Sequence, residues 1–368
     1  MSATADATQK ISVAVAPRRV RLALLPPWTP WFVGRLLSGV AVVIAISFIV
    51  FGATQALPSD PARVILGPEA SEATIETLRR QLGLDRPLYE QYLTWMGQIL
   101  SGDFGRSIDS NVPVGELVGA RFENSLALMV SVIVLTVPLS LALGVLLALR
   151  RDSRVDRVGV GALVVLKAVP SFALAIWLVM LFSTSVFQIL PAASLLDPER
   201  SPYVQIEYLI LPALTLTLSI SPYLLRLVRA SMIEALDSDY VTAARLRGVS
   251  EREIIWRHAL PNALIPSIQG IAMTLRVLFG GALIAEVVFS YPGIGNTLNA
   301  AIEMRDIPMI QGIVIVITLG IVIINLLADL LTVLLTPRLR TATRIRARSP
   351  GLRTAMRLAR TGRSQASV

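Results

Sequence analysis

Six apolar stretches, each long enough to cross a bilayer, constrain this chain more than any other feature of its sequence. A spanning helix needs about 20 apolar residues, because 1.5 Å of rise per residue must cover roughly 30 Å. The stretches run from Leu36 to Leu57, Asn124 to Leu149, Val158 to Phe182, Ile206 to Val228, Ala263 to Phe289 and Met309 to Leu335. Pro138, Pro170, Pro212 and Pro222 lie inside them. Such prolines are tolerated where neighbouring helices satisfy the freed carbonyls, so they predict a packed bundle. The expected fold class is all-α, a polytopic bundle of six transmembrane helices. The composition agrees: 54% of residues are hydrophobic and 16% charged, where a soluble domain carries roughly 25% charged residues. Too few charges remain to cover a soluble body of 368 residues. An ordinary cytosolic enzyme and a disordered chain are both excluded.

The formal net charge is +9, which suits either nucleic acid or a membrane protein with basic cytosolic loops. Placement decides between them. Lys10, Arg18, Arg19, Arg21 and Arg35 precede the first stretch. Arg150, Arg151, Arg154 and Arg157 follow the second. Arg226, Arg229, Arg245, Arg247, Arg252 and Arg257 follow the fourth, and an arginine run from Arg338 to Arg363 follows the sixth. The intervening loops hold only Arg63, Arg79, Arg80, Arg86, Arg106, Arg121, Arg200 and Arg305. This alternation predicts that both termini are cytosolic. It makes lipid, not nucleic acid, the partner. The domain plan is a basic cytosolic tail over 1–34, a membrane domain over 35–340 and an Arg-rich, unstructured cytosolic tail over 341–368. Within the membrane domain lie an outer loop at 58–122 and a cytosolic loop at 230–262. The first stretch reads as an uncleaved signal-anchor.

Several chemistries are ruled out. The chain has no cysteine and one histidine, His258, so no thiolate or multi-histidine metal site exists and no Ser-His-acid triad is credible. A phosphate-binding Walker A loop needs Gly-Lys-Ser/Thr. The only lysines are Lys10, after Gln9, and Lys167, before Ala168. The chain is therefore not an ATPase, and energy for any transport comes from another chain or from a gradient.

The outer loop predicts two helices. One runs from Ser71 to Leu82 with Gly83 past its end, and the other starts near Asp85 and Pro87 and ends at Gly102. They form either an interfacial pair or a platform for an external partner. The cytosolic loop predicts a helix–turn–helix. Ser238 or Asp239 caps the first helix, Gly248 takes the left-handed position after it, and Ser250 with Glu253 forms the capping box of the second. Pro261 is expected to close the segment before the fifth stretch begins. Tyr240, Arg245 and Arg247 should lie on the exposed face, as a knob suited to a partner's groove.

This loop resembles the EAA loop of ABC-importer permeases, whose pattern is EAA, three residues, Gly, nine residues, Ile, one residue, Leu-Pro. Here Thr242-Ala243-Ala244, Gly248, His258 and Leu260-Pro261 fall on it, with Glu and Ile replaced. The run Tyr240-Val241 through Asn262-Ala263-Leu264-Ile265-Pro266 is similar to the dipeptide/oligopeptide/nickel branch. So are Leu57-Pro58-Ser59-Asp60-Pro61-Ala62, Gly83-Leu84-Asp85-Arg86-Pro87 and Gly102-Asp103-Phe104-Gly105-Arg106-Ser107. Later blocks agree: Glu286-Val287-Val288-Phe289-Ser290-Tyr291-Pro292-Gly293-Ile294-Gly295, Arg305-Asp306, Asn325 through Asp329, and Pro337 through Arg340.

The resemblance implies the type I importer permease fold in a bacterial inner membrane. It implies a second permease subunit, two cytosolic ATPase domains that bind ATP and Mg, and an extracytoplasmic solute-binding protein. This chain itself would carry no cofactor and catalyse nothing. The solute would be a short peptide, with nickel or glutathione as alternatives. A gradient-driven carrier is the rival from another class. The implied coupling loop comprises Asp239, Tyr240, Ala243, Ala244, Arg245, Arg247, Gly248, His258, Leu260 and Pro261. Candidates for a translocation pathway or gate are Arg276, Glu286, Tyr291, Pro292 and Gly293. A charge in mid-span, as at Arg276, should face the bundle or a water-filled path, either lining the pathway or pairing with a polar group on another span. Lys167 reads as leaning toward an interface, and Asp329 as a packing contact.

Overall fold

A computed structural model describes residues 29–56, 61–67, 70–81 and 83–335. Most of both predicted tails, Leu57 to Asp60, and Pro337 to Arg340 lie outside the described residues. The described residues are helical but for turns, loops and one isolated bridge between Arg106 and Pro113. In chain order the helices are α1 (Thr29–Gln55), α2 (Pro61–Leu66), α3 (Glu72–Gln81), α4 (Leu88–Leu100), α5 (Val114–Leu149), α6 (Arg154–Ala168) and α7 (Ser171–Val179). They continue as α8 (Ile206–Leu236), α9 (Asp239–Leu246), α10 (Glu251–Glu253), α11 (Leu260–Val288), α12 (Ile294–Met304) and α13 (Ile307–Leu335). π turns follow α7 at Met180–Thr184 and link α10 to α11 at Ile254–Ala259.

Five of the six predicted spans are single helices: α1, α5, α8, α11 and α13. The third is not. It is the bent pair α6–α7, whose limbs meet at 102°. Val169 sits before Pro170 and is extended, with ψ 125. The proline ring excludes the preceding residue from helical ψ, so α6 stops at Ala168 and α7 restarts at Ser171. Pro138, Pro212, Pro222 and Pro266 lie inside unbroken helices, as expected of prolines in a packed bundle.

The core is the packing of α5, α8 and α11, with Leu128, Leu216, Leu278 and Phe279 buried among them. Lipid tails supply no hydrophobic drive between helices, so close approach of backbones through small residues matters more. At Gly144 of α5 an added Cβ would lie 2.7 Å from the Val228 side chain of α8 and 3.0 Å from the Leu225 carbonyl. At Thr136 a hydroxyl donates to Thr217 across the same pair, at 3.2 Å. By contrast α1 exposes most of its apolar surface, including Leu37, Phe48 and Ile49, as suits a helix bathed in lipid.

The loop helices between α1 and α5 form where the sequence placed them, although Pro87, not Asp85, caps α4, and without a side-chain bond. α12 went unpredicted: eleven residues lie between the fifth and sixth spans where only a connection was expected.

Candidate functional site

At one end of the bundle the chain folds into an elbow. Asp237 terminates α8 and Ser238 opens α9. The Ser238 hydroxyl does not cap α9; it donates back to the Ala235 carbonyl. The helix ends in a Schellman turn. Gly248 takes φ +79, its N–H donates to the Arg245 carbonyl at 2.9 Å, and the Val249 N–H donates to the Ala244 carbonyl at 3.2 Å. Ser250 accepts from the Glu253 N–H at 3.3 Å, which realises the backbone half of the predicted capping box. Val241, Ala244 and Ile254 are fully buried and close a small core of their own, with Val249 against it.

Pro261 does not close the elbow. It sits at the start of α11, directly after the π turn, and the run from Glu251 to Val288 is continuous. The π turn before it carries His258, half-buried, whose carbonyl accepts from the Asn262 side chain at 2.8 Å. Leu260 packs beside Ala148, Met232, Ala235 and Ala263, so the elbow rests on α5 and α8.

The exposed face carries Asp239, Tyr240, Ala243, Arg245 and Arg247, whereas Ala244 is buried inside. Arg245 binds Glu251 across the turn at 2.7 Å, and this carboxylate raises the guanidinium pKa further. Arg247 donates to the Ala243 carbonyl at 3.2 Å. Sequence reasoning missed two apolar residues on this surface: Leu246 is 85% exposed and Trp256 62%. The sign of Leu246 was present, since it falls outside the Val241–Ala244 stripe of a short polar helix. Also missed was the frame behind the elbow. Asp156 of α6, 3% exposed, takes a bidentate grip from Arg229 of α8, both contacts at 2.7 Å. Arg151 reaches Asp237 at 2.7 Å. Ser153, which accepts from the Asp156 N–H, is the capping signal that could have flagged Asp156.

At the opposite end several of the sequence blocks named above meet as a clasp. Glu286 is buried, and its Oε2 accepts from the Gly295 N–H at 2.6 Å, at the N-terminus of α12. A carboxylate there satisfies an orphan donor and complements the helix dipole. Gly293 and Gly295 line the carboxylate, and a side chain at Gly295 would also meet the Leu283 backbone at 2.7 Å. Tyr291 is fully buried, which pushes its phenol above the usual range, and donates to the Asn124 carbonyl at 2.7 Å. The Asn124 side chain returns a bond to the Pro292 carbonyl at 2.8 Å, and the Ile294 N–H donates to Ser125 at 2.9 Å. Nearby, Asp306 accepts from the Ser107 hydroxyl and the Ile108 N–H, and its second oxygen accepts from the Met309 N–H in the first turn of α13. Thus the Glu286–Gly295 and Arg305–Asp306 blocks lock α5, α11, α12 and α13 together.

Arg276 lies on neither structure. It faces outward on α11 and binds Asp329 of α13 at 2.6 Å; Asp329 also takes Arg35 of α1 at 2.9 Å. Lys167 is exposed at the α6–α7 break.

Two family models match the chain. The binding-protein-dependent transport system inner membrane component covers residues 140–341, and the N-terminal part of such membrane components covers 29–144. Glutathione transport system permease proteins of Shigella flexneri and Escherichia coli are each 35% identical over 310 residues, which is 84% of this chain and 98% of theirs. That of Salmonella typhi is 35% identical over 309 residues, 83% of this chain and 97% of its own.

Proposed function

The chain belongs to the inner membrane components of binding-protein-dependent transport systems, and on that premise we propose that its solute is a short peptide, with glutathione the first candidate. It is a multi-pass permease subunit of an ABC importer. A gradient-driven carrier is thereby set aside. Such a subunit implies a second permease, cytosolic ATPases and a solute-binding protein. The ATP and Mg belong with the ATPases. The single observation supporting the solute class is the likeness, over nearly their whole length, to permeases named for glutathione, itself a tripeptide.

The elbow is assigned to the ATPase. Its exposed Tyr240, Leu246 and Trp256 supply apolar and aromatic anchors of the kind that dominate interface energies. Asp239, Arg245 and Arg247 surround them, and Ala243, Ala244, Gly248, His258, Leu260 and Pro261 set the shape. The arginine distribution supports a cytosolic elbow with both termini on the same side. The clasp, with Glu286, Tyr291, Pro292 and Gly293, then sits at the outer face as the fixed part of a gate. Arg276, on the exposed stripe of α11 with Gln269, Met273 and Gly280, is assigned to meet a solute carboxylate in exchange for Asp329.

Uptake into proteoliposomes holding the whole transporter and its binding protein tests the solute. ATP-dependent accumulation of labelled glutathione or dipeptide is expected. Accumulation of nickel with neither peptide would overturn the assignment.

A further inference from the structure

A cavity of about 660 Å³ lies between α1, α4 and the start of α13, remote from both the elbow and the Arg276 stripe. Two hydrogen bonds tie its lining residues together: Gln311 donates to Thr54 at 2.7 Å, and Gln55 to Gln91 at 3.1 Å. Arg86 and Arg106 line it, and no Asp or Glu does among the described residues. Arg106 gives one N–H to the Asn111 carbonyl at 2.9 Å. Arg86 has no ion pair among the described residues.

The depth of this cavity follows from its neighbours. Tyr92 of α4 shares a hydrogen bond with Ser47 of α1 at 2.8 Å, and its ring and that of Trp95 pack edge-on or tilted against Phe51. Ser47 lies about 12 Å inside the end of α1, at 1.5 Å per residue. A helix held beside α1 at that depth lies in the interfacial layer of the bilayer, not above it. The outward side of α4 agrees: Leu88, Tyr89, Leu93 and Leu100 are all exposed. Phe48 of α1, whose ring lies 5.7 Å from that of Tyr92, and Ile49 are exposed as well, so the apolar surface beside the cavity spans both helices.

We propose that this cavity seats the phosphate of a membrane phospholipid, with Arg86 and Arg106 as its cationic contacts. Guanidinium groups recognise phosphate through paired N–H donors, and the side-chain amides of Gln81 and Gln98 add donors on the lining. The acyl chains run along the exposed face of α1. The same cationic pair could serve a free phosphate or a solute carboxylate, which lack those chains.

The whole transporter, delipidated in neutral detergent and titrated with phosphatidylglycerol, is read by native mass spectrometry. One saturable lipid per copy of this chain is expected. Arg86→Gln with Arg106→Gln should weaken it about tenfold or more, as for loss of charge-assisted bonds, and Arg86→Lys with Arg106→Lys should restore part of it. Diacylglycerol, which lacks the phosphate, should not bind, and millimolar phosphate or glutathione should not displace the lipid. Undiminished binding in the double glutamine variant, equal binding of diacylglycerol, or displacement by either small anion would overturn the proposal. Glutathione enters only as a competitor, so the outcome depends neither on which solute is transported nor on the elbow.

Discussion

The elbow and the clasp are built on opposite principles. The elbow is local: its small core, its turn and its Arg245–Glu251 pair all come from residues 239–254. It presents Leu246 and Trp256 to the outside. The clasp is assembled from afar. Tyr291 meets Asn124 and Asp306 meets Ser107, and almost every polar group involved is hidden. A part proposed to engage another subunit can keep its own fold at little cost to the rest. A part that holds four helices together cannot. Mutations at the clasp should therefore be felt as stability, and mutations at the elbow as coupling.

The contrast is sharpest at Gly295. Valine there meets the Leu283 backbone, which cannot step aside, so the cost should reach about 3 kcal/mol, the upper end of overpacking. Thermal unfolding of the purified transporter should show a large fall in Tm, and an unchanged Tm would break the distinction. Asp306→Ala comes next. It strands the Ser107 and Ile108 donors, and an unsatisfied buried group costs about 1–3 kcal/mol; the expected fall in Tm is smaller but clear. Gly248→Val forces a β-branched residue into the left-handed region, at about 1–2 kcal/mol. That strain should stay within the elbow, seen as faster hydrogen exchange over 239–259 with global Tm nearly kept. Smallest in stability is Leu246→Asp, which should leave Tm untouched while the ATPase no longer co-purifies. A fully coupled Leu246→Asp transporter would show that the elbow does not dock through this face.

The same contrast explains what the sequence disclosed. Elbow features are encoded within a few residues: a serine three before a glutamate, a glycine where the chain must turn left-handed. Gly248 and the Ser250–Glu253 cap were legible for that reason. Clasp residues were visible only as blocks, because nothing in a linear chain says that Glu286 will cap a helix starting at Ile294 or that Asp306 will reach Ser107. α12 was missed because its N-cap, Gly293, offers no side chain, and the carboxylate at its N-terminus, Glu286, comes from the end of the preceding span. Apolar length placed the spans, yet it could not distinguish Pro170 from Pro138. Pro138 sits within an unbroken 36-residue helix, whereas Val169 before Pro170 is left extended. Arg276 was recognised as costly, but its partner Asp329 lay a whole span away.

The bend at Pro170 has a mechanical corollary. Each limb of that crossing is shorter than the hydrocarbon layer: the 15 residues of α6 extend about 22 Å, against roughly 30 Å. A jointed rod of this sort cannot push along its axis. Under the proposed coupling, thrust delivered at Arg151 and Asp237 would leave the rod sideways, through the Asp156–Arg229 grip, and pass to the continuous helix α8 instead.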